Sequence, residues 1–213
     1  MKKYLGTGSA SVIAAAMLLS VGGSGQALAQ QTNNFPVVQA VLSTTVPAVA
    51  MPAASAGSAD AEVAREASWL QQAGWPLYAL VNKFSAGAPL TDEANCVAVA
   101  VYHEARGESL EGQLAVAKVI MNRAASGKYP TSWCGVVKQP WQFSFVHNGR
   151  FPSVDEGSSA WHKALGVTRL AMANAVPTLS SDVLWYHADY VAPSWGRRLT
   201  RVDKIGAHIF YRS

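Results

Sequence analysis

The chain is poor in charge and in cysteine: 14% of its 213 residues are Asp, Glu, Lys or Arg, and two are Cys. Seventeen basic against thirteen acidic side chains leave a formal charge of only +4. That is too slight for the dense basic face that nucleic acid calls for, so no nucleic-acid partner is expected. Beyond the first thirty residues there is no stretch of about 20 strongly apolar residues, which excludes a multi-span membrane protein. Several recurrent catalytic motifs are also missing. A zinc-protease helix needs HExxH, and after His103-Glu104 the position for the second His is Gly107. GxSxG, GxxxxGK[ST] and GxGxxG are absent, so serine-hydrolase elbows and nucleotide loops have no support. The two cysteines stand apart, without a CxxC pair or a histidine at ligand spacing, and no metal site is expected on them.

What is present is aromatic: seven Trp and seven Tyr require an ordered domain with a filled interior or an aromatic-lined cleft. The chain opens with Lys2 and Lys3, an apolar run from about Ser11 to Val21, and a small-x-small site at Ala27-Leu28-Ala29. Residues 1–29 therefore read as a cleaved secretory signal, after which no membrane span remains and the charge falls to about +2. Residues 30–60, rich in Ala, Ser, Thr, Val and Pro, read as a low-complexity tether. Residues 61–88 read as a short helix and connection, and 89–213 as the compact domain. Cys96 and Cys134 both lie in the exported part, where an oxidising compartment favours a bond between them.

Within the domain, Thr91 or Asp92 is placed to cap a helix running to about Arg106, with Gly107 as its stop. Its segment Cys96–Ala105 is apolar over most of its circumference, which implies a central position. Ser109 is placed to cap a second helix to Ser126, and Thr131 a short one to Val137, since Pro130 blocks an earlier start. Residues 139–151 read as a loop or short hairpin over a cleft, 155–174 as another helix, and 183–211 as strands. The fold class is α+β and helix-rich.

Chemistry concentrates at Tyr102-His103-Glu104-Ala105-Arg106-Gly107-Glu108. Glu104 follows six uncharged residues, and a carboxyl embedded beside such a core would have its pKa raised, which suits a general acid. A helix-end Glu paired with Arg106 or Arg123 is the competing reading, and the residues alone leave both open. Glu108 and Glu111 suit the start of the following helix. His147, His162, His187 and His208 are scattered singly and read as structural or surface residues.

Glu104-Ala105-Arg106-Gly107-Glu108, Glu111-Gly112-Gln113, Asn122-Arg123, Tyr129-Pro130, Cys134-Gly135-Val136-Val137, Gln142-Phe143-Ser144 and the ending Lys204–Tyr211 occur in this order. Together they resemble the spore-cortex-lytic (SleB-type) cell-wall hydrolase family over about Cys96 to Tyr211. The resemblance implies a lysozyme-like domain acting on peptidoglycan at the β-1,4 bond between N-acetylmuramic acid and N-acetylglucosamine, as a lytic transglycosylase. It also implies that Glu104, the first Glu of the E-A-R-G-E motif, is the catalytic acid. His103 stands where Gly is common in that family.

Hydrolysis of a glycosidic bond normally uses two flanking carboxylates. The acids that follow Glu108 and Glu111 in the sequence, Asp155, Glu156, Asp182, Asp189 and Asp203, fall in no recognisable motif, so a single-acid mechanism through Glu104 is the better fit. Gln142, Ser144 and Tyr186, with Glu108, are the expected substrate-binding residues, and Trp141, Trp185 and Trp195 the candidate stacking surfaces. A monomer without cofactor, exported to the periplasm or cell wall, is expected. The competing classes are an N-acetylmuramoyl-L-alanine amidase, which would need zinc, and a non-catalytic glycan-binding envelope protein.

Overall fold

The computed structural model describes residues 58–213; the expected signal segment and all but the end of the expected tether lie outside the described residues. Six helices precede a small sheet. They are α1 Ala59–Gln72, α2 Leu77–Lys83, α3 Asp92–Ala105, α4 Leu110–Ala125, α5 Trp133–Val137 and α6 Ser159–Met172. The strands are β1 Val183–Ala188, β2 Thr200–Ile205 and β3 His208–Arg212, with a 3-10 turn at Ser194–Arg198 before β2. This is the helix-rich α+β architecture expected.

Side-chain caps set the helix starts. Thr91 accepts from the Ala94 N–H at 3.3 Å and Ser109 from that of Gly112 at 3.2 Å, each satisfying a donor that the first turn leaves free. Ser132 rather than Thr131 caps α5, accepting from Gly135 N–H at 2.9 Å. Ser58 caps α1, so the helix begins at Ala59, two residues earlier than expected. The stop of α3 differs in kind: Arg106 continues in helical geometry, and Glu108 N–H reaches back to the Ala105 carbonyl at 2.9 Å. Gly107 is thus not a left-handed cap; a tightened last turn ends the helix instead.

α3 is the central element. Ala94 and every residue of Cys96–Tyr102 are buried, with α4, α5 and α6 packed around them. Val97, Val101, Leu114, Val116, Ile120 and Leu170 are essentially inaccessible, each contributing about 1.5–3 kcal/mol relative to exposure. The core extends N-terminally of Pro89, where the sequence placed only a short helix and a connection. Ala67, Leu70, Leu80, Val81 and Phe84 from α1, α2 and the residue after α2 join the same cluster. The close approach of α2 to α6 depends on Gly166, where a Cβ would collide with the Val81 carbonyl. The Cys96–Cys134 disulfide, Cα atoms 5.2 Å apart, ties α3 to α5.

The sheet is antiparallel with order β1-β3-β2, pairing Tyr186 with Phe210 and Ala188 with His208. Three buried polar side chains of α4 and its N-terminal end fasten neighbouring backbone. Asn122 Nδ2 donates to the Ser180 and Val183 carbonyls at 2.8 and 3.1 Å, Arg123 Nε to the Leu184 carbonyl at 2.7 Å, and Gln113 Nε2 to the Glu108 carbonyl at 3.1 Å. Each desolvated donor is thereby paired, and β1 is fixed against the helix that follows the Glu104 corner. Among the described residues no helix is long and apolar enough to cross a membrane.

Candidate active site

A cleft of about 920 Å³ lies between the end of α3, the loop 139–151 and the sheet, at the upper end of the range for small-molecule sites. Glu104, Glu108, Gln142, Ser144 and Tyr186 all line it, as do Trp141, Trp185 and Trp195. The structure therefore brings together every site residue expected from the sequence except the disulfide pair, which lies at the far end of α3.

Glu104 sits in the last turn of α3, half-buried, with no hydrogen bond or salt bridge to another described residue. Burial raises its pKa above the ordinary carboxylate value of 4.5, and the carbonyl end of a helix acts in the same direction. The competing pairing with arginine is not formed. Arg106 lies over the Tyr102 ring at 4.9 Å. Arg123, only 5% exposed, is held by the Leu184 carbonyl and lies 5.1 Å from the Tyr129 ring and 5.8 Å from that of Tyr186. Burial, and then the Glu104 charge, push the Tyr186 hydroxyl far above its ordinary pKa, so it remains a neutral O–H donor beside Glu104.

Glu108 is engaged elsewhere. Its Oε2 accepts the Ala207 N–H at 2.8 Å and its Oε1 lies 4.0 Å from His208 Nδ1. Gly206, in the β2–β3 turn, has φ +59 and lies so close that a Cβ there would collide with the Glu108 carboxylate. The fit requires glycine at this turn for both reasons.

The loop 139–151 is pinned by aromatic packing. Phe143 is buried, and Phe145 stacks on His103 with centroids 5.0 Å apart and planes at 24°. His103, which had no explanation in the sequence, thus anchors the loop carrying Gln142 and Ser144 to the helix carrying Glu104. The opposite wall is an aromatic cluster: Trp185 packs on Trp195 at 5.4 Å, and Trp195 on Tyr211 at 5.6 Å. His187 Nδ1 is 2.8 Å from the Ala188 carbonyl and Nε2 2.9 Å from the Tyr211 hydroxyl. A carbonyl only accepts, so in the neutral ring Nδ1 carries the proton and Nε2 accepts from Tyr211.

Sequence reading missed Arg123, His147, His187, Tyr190, Val191 and His208 as cleft residues. Three of the four scattered histidines line the cleft; no spacing in the sequence marks this, because a loop and two different strands deliver them separately. Among the described residues no group of three His, Cys, Asp or Glu side chains is placed to hold a metal ion.

Residues 107–211 match the family model described as Cell Wall Hydrolase, a span that contains Glu108, Gln142, Ser144 and Tyr186 and begins just after Glu104. The spore cortex-lytic enzyme of Bacillus subtilis (strain 168) is 35% identical over 124 residues, which make up 56% of this chain and 37% of that enzyme. That of Oceanobacillus iheyensis is 34% identical over 122 residues, 56% and 41% of the two chains. The chain thus spans less than half the length of these relatives. Among solved structures, the catalytic domain of the germination-specific lytic transglycosylase SleB from Bacillus anthracis is 30% identical. It is covered completely by 60% of this chain, with a TM-score of 0.48. The chain belongs to the cell wall hydrolase family.

Proposed function

We propose that the protein cleaves the glycan strands of peptidoglycan at the β-1,4 bond between N-acetylmuramic acid and N-acetylglucosamine, as a lytic transglycosylase with Glu104 as its acid and base. The observation that carries this reading is the contrast between the two carboxylates of the cleft. Glu104 is half-buried, unpaired and of raised pKa, the state of a general acid. Glu108 is committed to the Ala207 N–H and is poorly placed to act as a second, freely reacting carboxylate.

The step then runs through one carboxyl. Glu104 gives its proton to the glycosidic oxygen as the C1–O bond breaks, and the substrate's own N-acetyl oxygen stabilises the positive charge at C1. The Glu104 carboxylate next removes the proton of the muramic acid 6-hydroxyl, whose oxygen bonds to C1 to give a 1,6-anhydro end; no water is consumed. Tyr186, neutral and adjacent to Glu104, donates a hydrogen bond to the reacting region, while Gln142 and Ser144 orient sugar hydroxyls. In this reading residues 1–29 direct export to the periplasm or cell wall, a tether follows, and the mature enzyme works as a monomer without a cofactor. Digestion of purified sacculi followed by mass spectrometry tests it. Anhydro-muropeptides, lighter by one water than hydrolysis products, are expected and should persist with chelator; free stem peptides lost on chelation would mark an amidase, and binding without soluble fragments a non-catalytic protein.

A further inference from the structure

We infer that Trp141 and Tyr190 form an aromatic clamp at the mouth of the cleft that takes one pyranose ring of a glycan strand, away from the two sugars that flank the cleaved bond. The inference rests on the glycan-cleaving reading above and adds to it a preference for long strands.

The cleft aromatics divide into two kinds. Trp185 and Trp195 are half-buried and pack on each other, with further ring contacts to Tyr129, His187 and Tyr211. They are wall. Trp141 and Tyr190 are 100% and 86% exposed, and neither makes a ring contact with another described aromatic. An indole left wholly in water contributes nothing to the core. Trp141 also carries a backbone cost, with φ +66 in the left-handed region that bulky residues avoid. Nothing in the fold repays that geometry, and unrepaid strain at a cleft points to a ligand contact.

Both rings stand on firmly held backbone, so little ordering is needed on binding. Trp141 lies two residues before buried Phe143. Tyr190 lies in the turn after β1, where Asp189 N–H donates to the Ala207 carbonyl at 2.7 Å, Val191 N–H to that of Ala188 at 2.9 Å, and the Asp189 carboxylate pairs with Lys204 at 2.7 Å. The chemistry fits a β-linked sugar. Its axial C–H face is apolar and suits an electron-rich ring, while its equatorial hydroxyls remain at the edge for Gln142, Ser144 and His147, which line the same cleft. These polar neighbours also interrupt the apolar surface that a protein or lipid partner would need.

The test uses the mature chain on peptide-stripped glycan strands of at least about eight sugars and, in parallel, on a tetrasaccharide. Trp141→Ala and Tyr190→Ala should each raise KM for long strands about tenfold with kcat little changed. Trp141→Phe and Tyr190→Phe should stay near wild type, and the tetrasaccharide should respond weakly to all four. Trp141→Gly, which suits the left-handed backbone, should melt no lower than wild type yet bind long strands as poorly as Trp141→Ala. Unchanged KM for long strands in the alanine variants, with the wild-type chain active, would overturn the clamp and leave the glycan-cleaving reading standing. A wild-type chain that releases no sugar fragments would overturn both.

Discussion

The Glu108 carboxylate accepts the backbone N–H of Ala207, 99 residues along the chain, at 2.8 Å. One bond thereby joins the corner after the Glu104 helix to the turn that delivers His208 into the cleft. Its role is positional, which separates it from Glu104 in two substitutions. Glu108→Gln retains an oxygen able to accept from Ala207 and should cost well under about 1 kcal/mol. Glu108→Ala leaves a partly buried N–H without its acceptor and should cost about 1–3 kcal/mol, or several degrees in Tm for a domain of this size. Activity should fall modestly in the first and further in the second, by melting experiments paired with sacculus assays.

Glu104→Gln keeps size and hydrogen bonding but has no proton to give. Activity should drop at least about 100-fold while binding to sacculi persists. The raised pKa adds a second expectation. A carboxyl whose folded pKa exceeds its unfolded value contributes stability at low pH that is lost as pH rises through the folded value. Above that folded value the ionised Glu104 is therefore a burden on the fold, and Glu104→Gln should melt higher than wild type there, with the gain vanishing in acid. An active Glu104→Gln enzyme would sink the assignment of the acid.

The Cys96–Cys134 bond closes a loop of sequence separation 38, which in the chain-entropy model is worth about 4 kcal/mol. The Glu93 carboxylate, accepting the Cys134 N–H at 3.1 Å, supports the same junction. Replacing both cysteines by Ala should lower urea-unfolding stability by roughly 3–4 kcal/mol and leave the cleft, at the other end of α3, catalytically competent. A double variant as stable as the parent under oxidising conditions would refute this.

Local chemistry was legible where one or two neighbouring residues decide it. Thr91 and Ser109 cap their helices as their sequence positions indicate, and the apolar girth of Cys96–Ala105 placed α3 at the centre, whereas α6, expected from Asp155, begins only at Ser159 behind the Ser158 cap. Glu104 stood out because uncharged residues precede it. What escaped was set by distant partners. Gly166 is an ordinary mid-helix glycine until Val81 is brought against it, and that contact draws α2 into the core. Arg123 gives no local hint that its Nε meets a carbonyl 61 residues on. His187 and His208 share the cleft through β1–β3 register, where Ala188 faces His208 and His187 faces Ile209; this pairing has no sequence signature.

Two histidines, His103 and His208, couple the fold to acid. His103 has its pKa lowered by burial and then by the Arg106 charge, against a raising contribution from the Pro152 backbone. His208 is lowered by burial despite the opposing pull of Glu108 and Asp189. Both rings are therefore neutral in the fold when the unfolded chain has already begun to take up protons. Stability is full above the ordinary value of 6.5 and is lost as pH falls from there toward the folded values. Melting curves from about pH 7.5 to 5 should show Tm falling across this window, before most carboxylates titrate. His103→Phe preserves an aromatic ring against Phe145 but cannot be protonated, so it should flatten part of that slope while keeping activity at neutral pH. His103→Ala removes the stack as well, and should lower activity at every pH because the loop bearing Gln142 and Ser144 loses its anchor on α3. If His103→Phe and wild type lose stability in parallel on acidification, the neutral ring on Phe145 is not what acid attacks.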